Sequence, residues 1–353
     1  MEISTLSKLA AAEFGPKTTY LNTASCGLLP RRTVEAVKDL VDENFDGTRT
    51  GAGSYETVDV VRAAFGRIVG VGADRVATGG SVALHVGLIA ASLEPGSEVL
   101  LPEGDFSSLV TPFAHRADLR TRYVPLADLA DAVRPGTALV AFSVVQSADG
   151  RVADAAGVRE AAATHGARTL VDATQAAGWL PFDAGAYDYT VTGGFKFLVC
   201  PRGTSFLTVA GEAQPTLPAI FPGWVAGADR DGGTYGPVTP LSASARAYDE
   251  APAFLAYHGA ERSLALIEEA GTDALHAHAT GLAAQLREGL AGLGHETVPG
   301  ESAIVAVPGL GDRARELERA AIVVSARAGN LRLAFHLYNT QADVDRVLDV
   351  LGG

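Results

Sequence analysis

Apolar positions recur in two alternating rhythms from about residue 55 to residue 210. A helical spacing over Glu56–Val69 gives way to the short run RVATGG, and a second helical run, SVALHVGLIAASL, follows. Short apolar runs at EVLLPE (98–103), ALVAFSVV (138–145), RTLVDA (168–173) and DYTVTGG (188–194) read as buried strands. Between them, Ala-rich stretches such as VADAAGVREAAATHG supply crossover helices. Strands alternating with helices predict an α/β fold with a mostly parallel central sheet flanked by helices.

The rhythm breaks from Ala210 to Pro240, where Gly, Pro and Trp replace periodicity. A connection this long is uncommon unless it serves a site or an interface. Helical spacing returns from about Ser242, through ERSLALIEEAG and ALHAHATGLAAQLREGL. Short strands (SAIVAVP, IVVSAR, NLRLAFHL) and a last helix, QADVDRVLDVL, close the chain as a smaller α+β block. The expected division is an N-terminal arm over 1–20, a large domain over 21–245, whose first segment is free to pack on the small domain, and a small domain over 246–353.

Composition narrows the function. The 353 residues are 47% apolar and 20% charged, as in ordinary globular proteins. No apolar run approaches the roughly 20 residues of a membrane span. The first residues lack a basic segment followed by an apolar one, so no secretion signal is expected and a cytoplasmic location follows by default. A formal charge of −13 without a basic stripe argues against nucleic acid, and no polybasic membrane anchor is present. Small molecules are the expected partners. Cys26 and Cys200 make no disulfide framework, and the scattered histidines lack zinc-ligand spacing. His276 and His278 stand two apart on a presumed helix and so point apart. No metal is expected.

The chain has four lysines, and only Lys196 sits in an apolar setting, TVTGGFKFLVC, just past a predicted buried strand. Desolvation lowers a lysine's pKa, as an imine-forming amine requires; a lysine snorkelling from a strand end is the competing reading. Asp172 ends the strand of TLVDATQAAGW at the sheet edge where ligands gather in parallel α/β folds. A carboxylate there can keep a pyridinium nitrogen protonated, although an Asp at a strand end is equally a helix N-cap. Gln175 follows within one turn. The Gly-Gly-Ser turn before the helix of residues 79–91 could meet a phosphate through Ser81, Val82 and their amides, or be a plain cap.

Together these segments resemble the class V aminotransferase family of fold-type I pyridoxal-phosphate (PLP) enzymes, which includes cysteine desulfurases, isopenicillin-N epimerase and the ergothioneine C–S lyase. The resemblance covers nearly the whole chain, through YLNTASCGLLP (20–30), the Gly-Gly-Ser turn, VDATQAAG (171–178), GGFKFLVCPRG (193–203) and LRLAFHLYNTQADVDRVL (331–348). PGW, ARAYDEAPAF and FHLYNT look most like the branch around the lyase and the epimerase.

The resemblance implies a Schiff-base and proton-shuttling role for Lys196, a pyridine-nitrogen contact for Asp172 and a phenolic-oxygen contact for Gln175. It puts Phe106 over the cofactor ring and Gln146 or Ser147 at a further polar contact. It puts Arg332 on the substrate α-carboxylate, with Asn22 near the substrate. Strand alternation puts His336 on the face of Arg332, as a substrate contact or as a satisfied strand-end histidine. Arg246 reads as an anion contact or an interface salt bridge. Active sites of the family form at a dimer interface, so a homodimer is expected.

Three departures qualify the resemblance. The stretch from Pro299 to Arg332 holds no cysteine, unlike the desulfurase loop, so persulfide chemistry there is not expected. Cys26, in the opening segment, reads as a packing residue before a reactive one. Phe195 stands where relatives have His or Tyr and donates no hydrogen bond, so phosphate binding would lean on Ser81, amides and Thr192. ARAYDEAPAF replaces the segment through which desulfurases reach a neighbour's phosphate. The expected activity is chemistry at the α-carbon of an amino acid: C–S β-elimination from a cysteine conjugate, with transamination or epimerisation as alternatives and a non-catalytic member of the fold as the remote one.

Overall fold

The computed structural model describes residues 3–48, 53–230 and 234–353. Met1 and Glu2 of the expected arm and residues 231–233 of the Gly/Pro/Trp-rich stretch lie outside the described residues.

The first part of the chain forms α1 (Ile3–Glu13), β1 (Thr19–Tyr20), α2 (Arg31–Asp46), α3 (Tyr55–Ile68), β2 (Val76–Gly79), α4 (Val82–Ser92), β3 (Glu98–Pro102), α5 (Ser107–Ala114), β4 (Arg120–Val124), β5 (Thr137–Ser143), α6 (Ala155–His165), β6 (Arg168–Asp172), β7 (Tyr189–Gly193) and β8 (Ser205–Val209). The second part adds α7 (Phe254–Ala270), α8 (Thr272–Gly292), β9 (Ile304–Val307), α9 (Ala314–Arg319), β10 (Ile322–Val323), β11 (Ser325–Arg327), β12 (Asn330–Ala334) and α10 (Gln341–Gly352).

Seven strands form the main sheet in the order β2-β8-β7-β6-β5-β3-β4, parallel from β7 to β4 and antiparallel where β8 inserts between β2 and β7. Its central strands are buried over nearly all their length, because helices cover both faces. Alternation sends Leu100, Val140, Phe142 and Val171 into one core with α3, α6 and α7. Val99, Leu101, Leu139, Ala141 and Leu170 enter the other, with α4 and α5. The edge strand β4, RTRYV, escaped the sequence reading because its polar side chains suit an exposed edge rather than a buried strand.

Two expectations need correction. IVVSAR is not one strand: β10 pairs in parallel with β1, and after Val324 the chain changes partner, so that β11 pairs with β12. Nor does helix resume at Ser242. A short 3-10 turn over Ala245–Tyr248 comes first, and α7 begins only at Phe254, beyond Pro252. That turn is anchored by Asp249, which is buried and accepts from Arg62 Nη2 at 2.7 Å, Arg62 Nη1 at 3.1 Å and the Thr78 amide at 2.8 Å.

The opening segment joins the C-terminal block through β1 and through a bridge between Asn22 and Ala334. In turn α7 lies against α2 and α3, with the Tyr257 hydroxyl donating to the carbonyls of Gly79 and Ser205 and accepting the Gly79 amide. The helix that follows residue 246 therefore packs on the first block, not on the C-terminal sheet. No described helix is long and apolar enough to cross a membrane.

Candidate active site

The parallel strands end side by side: Ser143 of β5 is in register with Asp172 of β6, and Asp172 with Val191 of β7. Lys196 stands three residues beyond β7 in a tight turn, where Val199 takes a left-handed φ of 48° and returns its amide to the Lys196 carbonyl. A cavity of about 270 Å³ opens over this edge. Lys196, Asp172, Thr174, Gln175, Phe106, Ser147 and the Gly80–Ser81–Val82 turn all line it.

Lys196 is 6% exposed. Desolvation lowers the pKa of its amine to about 8; Asp172 opposes that shift, while the charges of Arg332, Arg202 and Arg327 add to it. Its Nζ lies 5.0 Å from the centre of the Phe106 ring. Burial raises the Asp172 carboxyl, against bonds from Thr174 and the charge of Lys196. One Asp172 oxygen accepts the Thr174 amide at 2.8 Å. The opening segment abuts the lysine, for Gly27 donates to the Phe195 carbonyl, and a Cβ on Gly27 would stand 2.2 Å from the Lys196 carbonyl oxygen.

Phe106 is held by a residue that the sequence reading missed. The Asp105 carboxylate, buried beneath it, accepts the Phe106 amide at 2.6 Å, the Ser143 amide at 2.9 Å, the Ser143 hydroxyl at 2.6 Å and Gln146 Nε2 at 3.0 Å. Its position in EGDFSS, directly after glycine and before the ring, was the available signal, since Asp commonly bonds nearby backbone amides in turns. Gln146 is thereby corrected: its amide is engaged by Asp105 behind the cavity, and Ser147 is the neighbour that lines it.

Gln175 Nε2 donates to the Ala24 carbonyl at 2.9 Å and to Ser147 Oγ at 3.0 Å, and its buried Oε1 has no partner. At the other end, α4 begins at Ser81, whose hydroxyl makes no cap bond. The Gly80 amide donates to Glu250 at 3.2 Å. Thr192 does not line the cavity. Alternation turns Gly193 of the same strand inward, and Thr204 and Ser205 of the following turn, which were not anticipated, stand there instead. Phe195 lines the wall with the Arg202 guanidinium stacked 4.4 Å from its centre.

Arg332 is buried behind Ser147. It donates to Ser325 Oγ at 3.1 Å, Ser25 Oγ at 2.6 Å, Ser147 Oγ at 3.2 Å and the Ser147 carbonyl. Desolvation lowers its pKa to about 10, which leaves it charged, and no ion pair joins it to a carboxylate among the described residues. A buried cation supplied only with neutral acceptors is a seat for an anion.

The structure does not bring the other candidates to the cavity. His336 follows the end of β12, fully buried, with Nε2 against the Phe197 carbonyl at 2.9 Å and its pKa lowered by burial to about 4. It is a core histidine held through Nε2, while its buried Nδ1 has no partner. Asn22 holds the turn that delivers Ser25, through its carbonyl, and its buried Oδ1 has no partner. Cys26 is half-buried outside the cavity lining, and burial pushes the Cys200 thiol up. Arg246 lies outside the cavity lining and donates to the carbonyls of Val225 and Ala228. No cluster of three potential metal ligands occurs among the described residues.

The residues present fit a phosphorylated pyridoxal: a neutralisable amine, a buried carboxyl, a ring-sized aromatic cover, an uncapped helix N-terminus and, in Gln175 Oε1, an orphaned acceptor facing a hydroxyl donor.

The aminotransferase class-V family model matches residues 20–347. The uncharacterized aminotransferase YcbU of Bacillus subtilis is 24% identical over 94% of this chain and 93% of its own length. Isopenicillin N epimerase of Amycolatopsis lactamdurans is 29% identical over 57% of this chain and 56% of its own. The solved structure of the cystine C–S lyase C-DES, in complex with cysteine persulfide, superposes with a TM-score of 0.85 at 22% identity, covering 95% of this chain and 97% of that one. A lysine-to-alanine mutant of the same lyase carries glycine covalently linked to its PLP cofactor.

Proposed function

The chain belongs to the class-V aminotransferase family of PLP-dependent enzymes, and from that premise we propose that it eliminates sulfur from the β-carbon of a cysteine conjugate. One observation carries the reading. Among the described residues that line the cavity, the titratable ones are Lys196 and Asp172, and only Lys196 combines burial with a pKa near neutrality.

Pyridoxal phosphate, when bound, withdraws electrons from the substrate's α-carbon. Lys196 is the amine that would hold it and would take the substrate's α-proton. Asp172 serves the pyridine nitrogen, Gln175 the ring hydroxyl and Phe106 the ring face. Ser81, Val82 and the α4 amides serve the phosphate. Arg332 receives the α-carboxylate in its fork, with Ser25 and Ser147 beside it.

A single base on one side of the α-carbon supports elimination or transamination. Epimerisation requires a proton from the opposite face, and the other titratable group that lines the described cavity, Asp172, is assigned to the pyridine nitrogen. In elimination the α-proton passes to the Lys196 amine and the Cβ–S electron pair leaves on sulfur. The absence of cysteine between Pro299 and Arg332 suits release of the sulfur product rather than its storage on that loop.

The test is product analysis with S-substituted cysteines. Pyruvate, ammonia and thiol in equal amounts support elimination; a cofactor left in its amine form with an intact keto acid selects transamination. A protein without a borohydride-sensitive visible chromophore, with Lys196→Ala indistinguishable from wild type, would sink both.

A further inference from the structure

Two guanidinium groups near Lys196, outside the cavity lining, are left without a role by the chemistry above. Arg202 and Arg327 are both exposed, yet both bear electrostatically on Lys196. Arg327 Nη2 donates at 3.2 Å to Ser25 Oγ, the hydroxyl that Arg332 Nη2 meets at 2.6 Å, so a second cation stands next to the proposed α-carboxylate seat. The strand pairing fixes this, because β11 and β12 are joined by a tight hairpin with Ser325 opposite Arg332 and Arg327 opposite Asn330. Arg202 covers the Phe195 ring on the cavity wall.

Neither residue has a carboxylate partner among the described residues. Other exposed arginines divide: Arg67, Arg134 and Arg151 pair with Glu268, Glu98 and Asp149, while Arg31, Arg120 and Arg346 bond backbone carbonyls. It is the place of Arg202 and Arg327 beside Lys196 that sets them apart. In a chain of net charge −13 the long-range field repels anions, and unpaired cations near a cleft reverse that field locally. Arg202 and Arg327 are exposed, so a substrate side chain directed to solvent from an α-carbon between Lys196 and Arg332 would pass them.

We propose that the substrate carries a second carboxylate beyond its β-carbon, received by Arg327 and Arg202 while Arg332 holds the α-carboxylate. This rests on the assignment of an amino-acid substrate to Lys196 and Arg332. It leaves open which bond breaks.

The experiment compares S-carboxymethyl-L-cysteine with S-carbamoylmethyl-L-cysteine, which differ by a carboxylate against an amide of nearly the same shape. With holoenzyme, followed as substrate loss, kcat/KM is expected to favour the carboxylate roughly tenfold, as for one charge-assisted contact. The preference should reside in KM and shrink with added salt. Arg327→Gln and Arg202→Gln should each reduce it. Equal kcat/KM for the two substrates, or a preference untouched in both variants, overturns the proposal. Calorimetry on the cofactor-free protein separates this failure from failure of the catalytic reading: glutarate should bind more tightly than butyrate, and Arg327→Gln should remove the difference. If neither cysteine derivative is consumed, the catalytic reading fails while the calorimetric comparison still decides the second seat; equal binding of the two acids rejects it.

Discussion

At the scale of residues, Lys196 should be visible through its titration. Burial lowers its pKa from 10.5 to about 8, so the neutral, nucleophilic amine grows in as pH rises through about 8. The rate at which cofactor-free protein captures pyridoxal phosphate irreversibly under borohydride should follow that curve. A midpoint near 10.5 would show an amine in water. Gly27 is a second sensitive position, since its Cβ would collide with the Lys196 carbonyl. Gly27→Ala should cost about 1–3 kcal/mol by overpacking and weaken cofactor binding with it, measured as a fall in Tm and a rise in Kd. Lys196, Asp172, Gln175, Ser81 and Val82, which the structure brings to one cavity, stood out through local signals: a lone lysine in apolar surroundings, a strand-ending Asp with Gln a turn later, a Gly-Gly-Ser turn. Phe106 was singled out by the family resemblance. Gln146 was misplaced, and the two readings of His336 stayed open, because what engages their polar atoms, Asp105 and the Phe197 carbonyl, lies far off in sequence. Only the tertiary fold shows these contacts.

At the scale of elements, the proposed reading puts the phosphate at the start of α4. With Phe195 offering no donor, Ser81 and the first amides of the helix would carry that end, and one amide, that of Gly80, is engaged by Glu250. Ser81→Ala should weaken pyridoxal phosphate by about 1.5–3 kcal/mol, the range for a hydrogen bond to a charged group, and leave pyridoxal binding nearly unchanged. Glu250 adds a pH dependence of known sign. Burial raises its carboxyl pKa, so it is more often neutral at the acid end of the range and becomes an anion beside the phosphate as pH rises. The Lys196 amine gains nucleophilicity as pH rises, so the Glu250 contribution is read as a difference: Glu250→Gln should bind pyridoxal phosphate more tightly than wild type at high pH, and the gap should close towards the acid end. Equal pH profiles for the two proteins would remove Glu250 from the phosphate site. The buried strands were legible because both faces are covered and the runs are uniformly apolar. The edge strand β4 and the partner switch between β10 and β11 were not, since an exposed edge has no apolar signature and strand pairing is a non-local property.

At the scale of the whole molecule, one apolar core runs from the main sheet through α7 and α8 to β9 and β12, so the two blocks do not part at a seam. The segment between β8 and α7 behaves differently. It leaves Phe221 65% exposed and Tyr235 91% exposed, with Ile220 and Trp224 each at 38%. Four large apolar or aromatic side chains offered to solvent within one segment suit a surface that another protein surface covers. The family expectation of a homodimer gives that surface an occupant, a second copy of the chain. Sedimentation at micromolar concentration should then return a species near twice 36.3 kDa. The double variant Phe221→Asp, Tyr235→Asp should shift it towards the single chain, because charged groups are disfavoured in the core of an interface. Since the same segment precedes Asp249 and Glu250, whose bonds to Thr78 and Gly80 hold the turn at the phosphate end, loss of the dimer should weaken cofactor binding as well. A monomeric wild type, or a dimer indifferent to both substitutions, would separate this surface from assembly.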